Sequence, residues 1–287
     1  MSPEIIAFFD EPTFTVSYLV VDPATKAAAI VDPVLDYDHA SGRAHHGSAA
    51  RILAATQARG AHVALVLETH VHADHLSAAP WIKAQTGAKV AIGAEVRAVQ
   101  AIFAPVFGAD DVSLTGAEFD ILAKDGDRFA LGALTIEALH TPGHTPACMA
   151  WKIGDQDVFV GDTLFMPDYG TARADFPGGD AATLYRSIRK LLALAPETRL
   201  WMCHDYKAPG RDAFAWQTTV ADERAGNVHV HDGVTEDDFV TMRQARDAGL
   251  KAPALLLPSV QVNMRAGHFP PPDAQGRCFL KVPLKVA

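Results

Sequence analysis

An α+β fold, with two mixed sheets sandwiched between helices and a metal site at one edge of the sheets, is what this 287-residue chain predicts. Three observations carry it. Short runs rich in valine and isoleucine alternate with segments of helical spacing. Ligand-type side chains recur just beyond the strand-like runs, where loops at sheet ends hold functional groups. Finally, Thr69-His70-Val71-His72-Ala73-Asp74-His75 packs three imidazoles and a carboxylate where one turn can aim them at a point. Burying such a group without an ion to neutralise and coordinate it would be costly.

In chain order, strand character is read at 14–21 and 27–31, then a helix at 48–58, a strand at 64–68, the histidine cluster and a helix at 76–85. Strands follow at 89–92, 134–139, 148–153 and 157–160, a helix at 181–194, a strand at 200–203 and a helix at 214–225. In the 181–194 helix, Leu184, Ile188, Leu191 and Leu192 recur at helical spacing and form a core stripe, with Asp180 as N-cap. Beyond Gly226 the texture changes: Thr235 with Asp238 three residues later matches a capping box for one helix reaching about Ala248. A proline-punctuated tail follows. The reading is a catalytic domain over 1–226 and an extension over 227–287 packed on it, with Pro270-Pro271-Pro272 a surface turn.

Three more ligand-type residues follow strand-like runs: His144 in Thr141-Pro142-Gly143-His144, Asp162 in Gly161-Asp162-Thr163, and His204 in Cys203-His204-Asp205. The order H-x-H-x-D-H, then His144, Asp162 and His204, resembles the metallo-β-lactamase fold superfamily, and implies its αββα sandwich. In that superfamily's hydrolases the pattern maps to His70, His72 and His144 on one metal and Asp74, His75 and His204 on a second, with Asp162 bridging. Asp32 resembles the early aspartate that orients the histidine loop from behind.

Hydrolases and oxygenases of the superfamily share this ligand set, so other segments choose between them. Arg173-Ala174-Asp175-Phe176 and the 258–267 segment resemble persulfide dioxygenases of the ethylmalonic encephalopathy protein type. Glyoxalase II usually carries an Arg-Phe-Phe-Glu-like element instead, and holds glutathione with a C-terminal helical region that this extension, read as one helix, does not match.

The dioxygenase resemblance implies one Fe(II) per chain, held by His70, His144 and Asp162, which leaves open positions for dioxygen and a substrate sulfur. Glutathione persulfide and O2 would give sulfite and glutathione. His72, Asp74, His75 and His204, like Asp32, would then hold ligands, water or bound oxygen, unless they carry a second metal. The alternative is a dinuclear zinc thioester or lactone hydrolase of glyoxalase II type, with two Zn. A third reading is a non-catalytic sulfur or metal sensor, against which the open coordination positions argue.

Glutathione's carboxylates call for cationic or amide partners. Tyr206 and Lys207 follow His204 directly, and Arg173 and Arg265 sit in the family-like segments, so these four are the candidate substrate contacts. Arg173 is also placed to pair with Asp175. The pairs His45/His46 and His229/His231 read as solvated, and His140 as a hydrogen-bonded strand end. Cys148, Cys203 and Cys278 form no metal or disulfide pattern, which fits a reducing compartment. Cys203, beside His204, reads as a buried core residue rather than a sulfur-relay nucleophile.

A formal charge of −9 without any Lys/Arg block disfavours nucleic acid and anionic membranes as partners. Residues 1–14 lack the basic start and apolar core of a signal peptide, and no apolar run approaches the ~20 residues that span a bilayer. A cytoplasmic enzyme is expected. A homodimer is left open, and the resemblance suggests a pathway in which a sulfurtransferase or a sulfide:quinone oxidoreductase supplies the persulfide.

Overall fold

The computed structural model describes residues 2–284. An edge hairpin, β1 (Glu4–Asp10) with β2 (Thr15–Val21), leads into β3 (Ala27–Val31). A small sheet of β4 (Val34–Asp38), β5 (Arg43–His45) and later β7 (Leu76–Ser77) flanks α1 (Gly47–Ala58) and β6 (His62–Leu67). After α2 (Ala79–Thr86) come β8 (Lys89–Gly93), α3 (Val96–Phe107) and β9 (Ile121–Ala123). The first large sheet has the order β1-β2-β3-β6-β8-β9, with β3, β6, β8 and β9 parallel.

The second sheet begins with β10 (Arg128–Leu131), β11 (Leu134–His140), β12 (Met149–Ile153) and β13 (Asp157–Phe159). It continues through α4 (Ala181–Leu192) to β14 (Arg199–Trp201) and β15 (Gln217–Thr219), all in sequence order across the sheet. The chain closes with α5 (Val220–Gly226), α6 (Glu236–Asp247) and α7 (Leu256–Asn263).

Strand alternation builds the layers. Along β2, Val16, Tyr18 and Val20 face the second sheet, where they meet Ile136, Trp151 and Phe159. Leu19 and Val21 face outward, among α1, α2, α3 and α7 through Ile52, Ile82, Val99 and Val260. Behind the second sheet, Leu184, Ile188 and Leu191 of α4 pack with Val158, Val220 and Phe239. Both faces of each central strand are therefore covered, which is why β2 and β3 read as continuous apolar runs. No helix among the described residues is long and apolar enough to cross a membrane.

Several elements differ from the sequence reading. The 76–85 segment begins as the short strand β7 before α2. The 214–225 segment is not one helix: residues 217–219 pair with β14, and the Thr219 hydroxyl accepts from the Asp222 N–H to start α5. The extension holds two helices rather than one. Pro258 occupies the first turn of α7, where its missing N–H has no intrahelical partner to lose, so the proline does not mark a tail. The capping predictions match: Asp180 accepts from the Thr183 N–H at 2.8 Å, and Thr235 from Asp238 at 3.2 Å.

Candidate metal centre

Strands β3, β6, β11, β13 and β14 all end at the same rim of the sandwich, and the residue or loop beyond each supplies one part of the centre. Hydrogen bonds stitch these ends together: Asp32 N–H donates to Leu67 O, Met149 N–H to Thr69 O, and Val160 N–H to Trp201 O. At Gly161, with φ of +54°, a Cβ would come within 2.7 Å of the Thr69 Cβ. Only glycine lets the Asp162 loop sit this close to the histidine loop.

The five imidazoles and two aspartates converge. Asp162 Oδ2 lies 3.9 Å from His70 Nε2 and 3.6 Å from His144 Nε2. Its other oxygen, Oδ1, lies 3.4 Å from His204 Nε2, which is also 3.4 Å from Asp74 Oδ2. These separations suit ligands about 2.0–2.2 Å from a shared ion.

Each imidazole points one nitrogen outward to a fixed partner. His70 Nδ1 meets Thr69 Oγ1 at 3.0 Å, and His144 Nδ1 donates to Arg173 O at 2.8 Å. His72 Nε2 reaches Asp32 Oδ1 at 3.0 Å, and His204 Nδ1 reaches Phe14 O at 3.3 Å. His75 Nδ1 lies between Asp74 and Thr15. The inward atoms have no partner: His70 Nε2, His72 Nδ1, His75 Nε2, His204 Nε2 and Asp162 Oδ1 are all buried and unpaired. Five orphaned donor atoms of ligand type around one point are what a metal resolves, because a buried polar atom without a partner is otherwise costly. The residues therefore fit a metal, and His72 is placed to bind through Nδ1 while Nε2 is tied behind.

Asp32, 2 % exposed, underlies the loop. It accepts from Thr69 N–H at 2.7 Å and Thr69 Oγ1 at 2.8 Å, as well as from His72, and its φ of +46° aims the carboxylate inward. Burial alone would raise its carboxyl, but the His72 charge and these hydrogen bonds hold it below the ordinary range. Burial, then repulsion from His72 and His144, pushes His70 well below the usual imidazole range, so its lone pair stays free for a metal.

A cavity of about 440 Å³ opens on this centre, reaching Asp74, His144 and Asp162 at its floor and Phe165, Phe176 and Tyr206 on its walls. Of the four predicted substrate contacts, Arg173 and Tyr206 line it. Arg173 is already paired with Asp175 at 2.5 and 2.7 Å and donates to Lys251 O. Tyr206 stacks on His204, and burial, then Asp74 and Asp162, keep its phenol protonated. The other two lie outside it. Lys207 places its ammonium 4.4 Å from the Phe214 ring centroid and does not line the cavity. Arg265 is bound to Asp111 at 2.6 and 2.7 Å and borders a separate cavity of about 230 Å³.

Cations that the sequence reading missed stand at the cavity instead. Arg246, at the end of α6, and Lys251 both line it, and no ion pair engages either side chain among the described residues. The periodicity of α6 does not say which of its charged residues faces a cavity. Cys203 is buried, contacts Asp32 at 3.5 Å and does not line the cavity. Burial, then Asp32, pushes its thiol well above the ordinary range, which removes it as a nucleophile.

The cavity wall 165–171 is fastened from behind. Asn227 Nδ2 donates to Gly170 O and to Glu223, and His229 Nδ1 accepts from Thr171 N–H at 3.1 Å. His229 is therefore a packed structural residue, not a solvated one. Glu223 is pushed up to about 8 by burial, partly offset by Asn227. Its folded value lies above its unfolded one, so its contribution is complete below about pH 4.5 and is lost as pH rises towards 8. Glu223→Gln should flatten that loss, giving a higher Tm than the parent chain at pH 8 in parallel thermal scans.

A model of the Metallo-beta-lactamase superfamily matches residues 10–204, ending before α6 and α7. A probable metallo-hydrolase of Burkholderia pseudomallei (strain 1710b) is 56 % identical over 287 residues, covering 96 % of this chain and 97 % of that protein. A beta-lactamase hydrolase-like protein of Agrobacterium fabrum is 48 % identical across 99 % of this chain, which spans 65 % of that relative's length. The mitochondrial persulfide dioxygenase ETHE1 of Mus musculus is 27 % identical, covering 92 % of this chain and 89 % of that one. Among solved structures, ETHE1 from Myxococcus xanthus superposes with a TM-score of 0.73 at 30 % identity, covering 92 % of this chain and 100 % of that chain.

Proposed function

Since this chain belongs to the metallo-β-lactamase superfamily, and its centre fits a metal, we propose that it is a persulfide dioxygenase that oxidises glutathione persulfide with O2 to sulfite and glutathione. The observation that carries the choice of reaction is the likeness to persulfide dioxygenases over 92 % of this chain, and the clustered set His70, His144 and Asp162, whose last two members line the cavity, fits it. Two imidazoles and one carboxylate would hold a single ferrous iron. When bound, that iron offers open positions where dioxygen and a soft sulfur can meet. The likeness to the two ETHE1 proteins supports the choice.

The chain's own residues do the rest. The reaction takes persulfide, O2 and water to the thiol, sulfite and two protons. No protein nucleophile is needed, which agrees with the buried thiol of Cys203. The Phe165 and Phe176 walls keep the sulfur in an apolar space, and the protonated Tyr206 phenol is a donor beside it. Arg246 and Lys251, which line the cavity and have no ion pair among the described residues, would meet the glutathione carboxylates. Arg246→Ala and Lys251→Ala should each raise KM for glutathione persulfide about tenfold, the loss of roughly one charge-assisted hydrogen bond, with kcat nearly unchanged.

A dinuclear zinc hydrolase is the second reading, favoured by one feature. Asp162 turns its two oxygens to different histidines, and the atoms for a second ion are as orphaned as those for the first. The two most identical relatives described above carry hydrolase names. The extension holds a second helix, and its residues Arg243, Arg246 and Lys251 line the cavity, which removes the contrast with glyoxalase II drawn from the sequence. Zinc-loaded protein incubated anaerobically with S-lactoylglutathione decides between the readings. The dioxygenase reading expects no thioester cleavage, and multiple turnovers would replace it with the hydrolase.

A further inference from the structure

We propose that Asn263, at the end of α7, is the positioning residue that holds the histidine-bearing loop in its metal-binding shape. The loop between β6 and α2 carries four ligand-type side chains, yet little regular structure restrains its far half. Asn263 supplies the restraint. Its Nδ2 donates to His72 O at 2.9 Å and to His75 O at 2.7 Å, and its Oδ1 accepts from Ser77 N–H at 2.8 Å.

The amide orientation is settled by these partners, because the flipped group would set an oxygen against two carbonyls and an NH2 against an N–H. The residue is 4 % exposed, so the bonds are made away from water. Together they fix the backbone on both sides of Asp74 and at the loop's end. They therefore set where His72 Nδ1, Asp74 and His75 Nε2 point.

A second contact from the same segment closes on the same loop. Gly267, with φ of +87°, lies where a Cβ would come within 2.8 Å of Ser77 O and 2.6 Å of Pro80 Cδ. The end of α7 is itself anchored: Arg265 pairs with Asp111, Gln100 donates to Met264 O, and Gln261 exchanges hydrogen bonds with the Lys281 backbone. The extension thus acts as a clasp on the metal loop, joining residues 186 to 191 positions apart. This holds whichever reaction the centre performs.

The test uses cobalt(II) binding to the full chain, by competition with a chelator and by the visible ligand-field spectrum, alongside the Tm of the metal-free protein. Asn263→Asp keeps the shape and the acceptor but loses both donors. It should weaken cobalt about 10–100-fold and alter the spectrum, as the loss of an outer group that orients ligands does. Asn263→Ala should do so further. Gln261→Leu loosens the same helix without touching the loop, and should lower Tm while leaving affinity and spectrum unchanged. Parental affinity and spectrum in Asn263→Asp would overturn the proposal. So would an equal loss of affinity in Gln261→Leu, because helix stability would then explain both.

Discussion

Asp162→Ala should leave protein that retains no iron after exposure to a mild chelator and that no longer oxidises persulfide, whereas His204→Ala should keep iron and show altered turnover. The asymmetry follows from the geometry. Among the described residues, Asp162 supplies the only carboxylate facing both His70 and His144, with Oδ2 at 3.9 and 3.6 Å from their Nε2 atoms. Two neutral imidazoles alone hold ferrous iron weakly and leave its charge uncompensated. The loss should exceed the roughly 100-fold upper range for outer groups that only orient ligands. His204 faces Oδ1 and Asp74, on the other side of the carboxylate. Iron per chain after desalting, with circular dichroism to verify folding, is the measurement. Retention by Asp162→Ala together with loss by His204→Ala would reverse the ligand assignment.

Asp32→Ala is expected to have the largest effect on stability. The carboxylate is buried and receives the Thr69 N–H, the Thr69 hydroxyl, His72 Nε2 and the Cys203 thiol. It is also the partner that fixes the buried His72 imidazole through Nε2, so removing it leaves orphaned donors on Thr69 and His72 together. Breaking a buried pair in this way costs about 3–5 kcal/mol. For a domain of this size that is a fall in Tm on the order of 6–20 °C. Metal affinity should fall with it, by roughly 10–100-fold. A Tm within a few degrees of the parent would mean that the loop is held chiefly from the Asn263 side.

The cluster of ligand-type residues was legible in the sequence because chemistry is concentrated there: four such residues in one turn have few other uses, and His144, Asp162 and His204 each follow a strand. β3 was legible because a buried strand between turn residues is short and uninterrupted. Helix α3 was passed over although Val96, Val99 and Phe107 mark its buried face, since the run is apolar nearly all round and carries Pro105 inside it. Helix α7 was hidden by Pro258, which is harmless in a first turn and looks like a breaker from the sequence.

The long-range contacts were not legible for a different reason. Nothing about Asn263 in an apolar helix announces that its amide will reach a loop nearly two hundred residues earlier. In the same way, Arg265 looked available until Asp111 was found beside it, and Arg246 and Lys251 gained interest only when the fold turned them to the cavity. Local pattern identifies chemistry, while tertiary pairing decides which charges are already spoken for.

The most direct test of the proposed function is oxygen uptake by anaerobically iron-loaded protein on addition of glutathione persulfide, with sulfite assayed in the same vessel. The account predicts uptake matched mole for mole by sulfite, lost in Asp162→Ala. No uptake from protein verified to hold ferrous iron would contradict it.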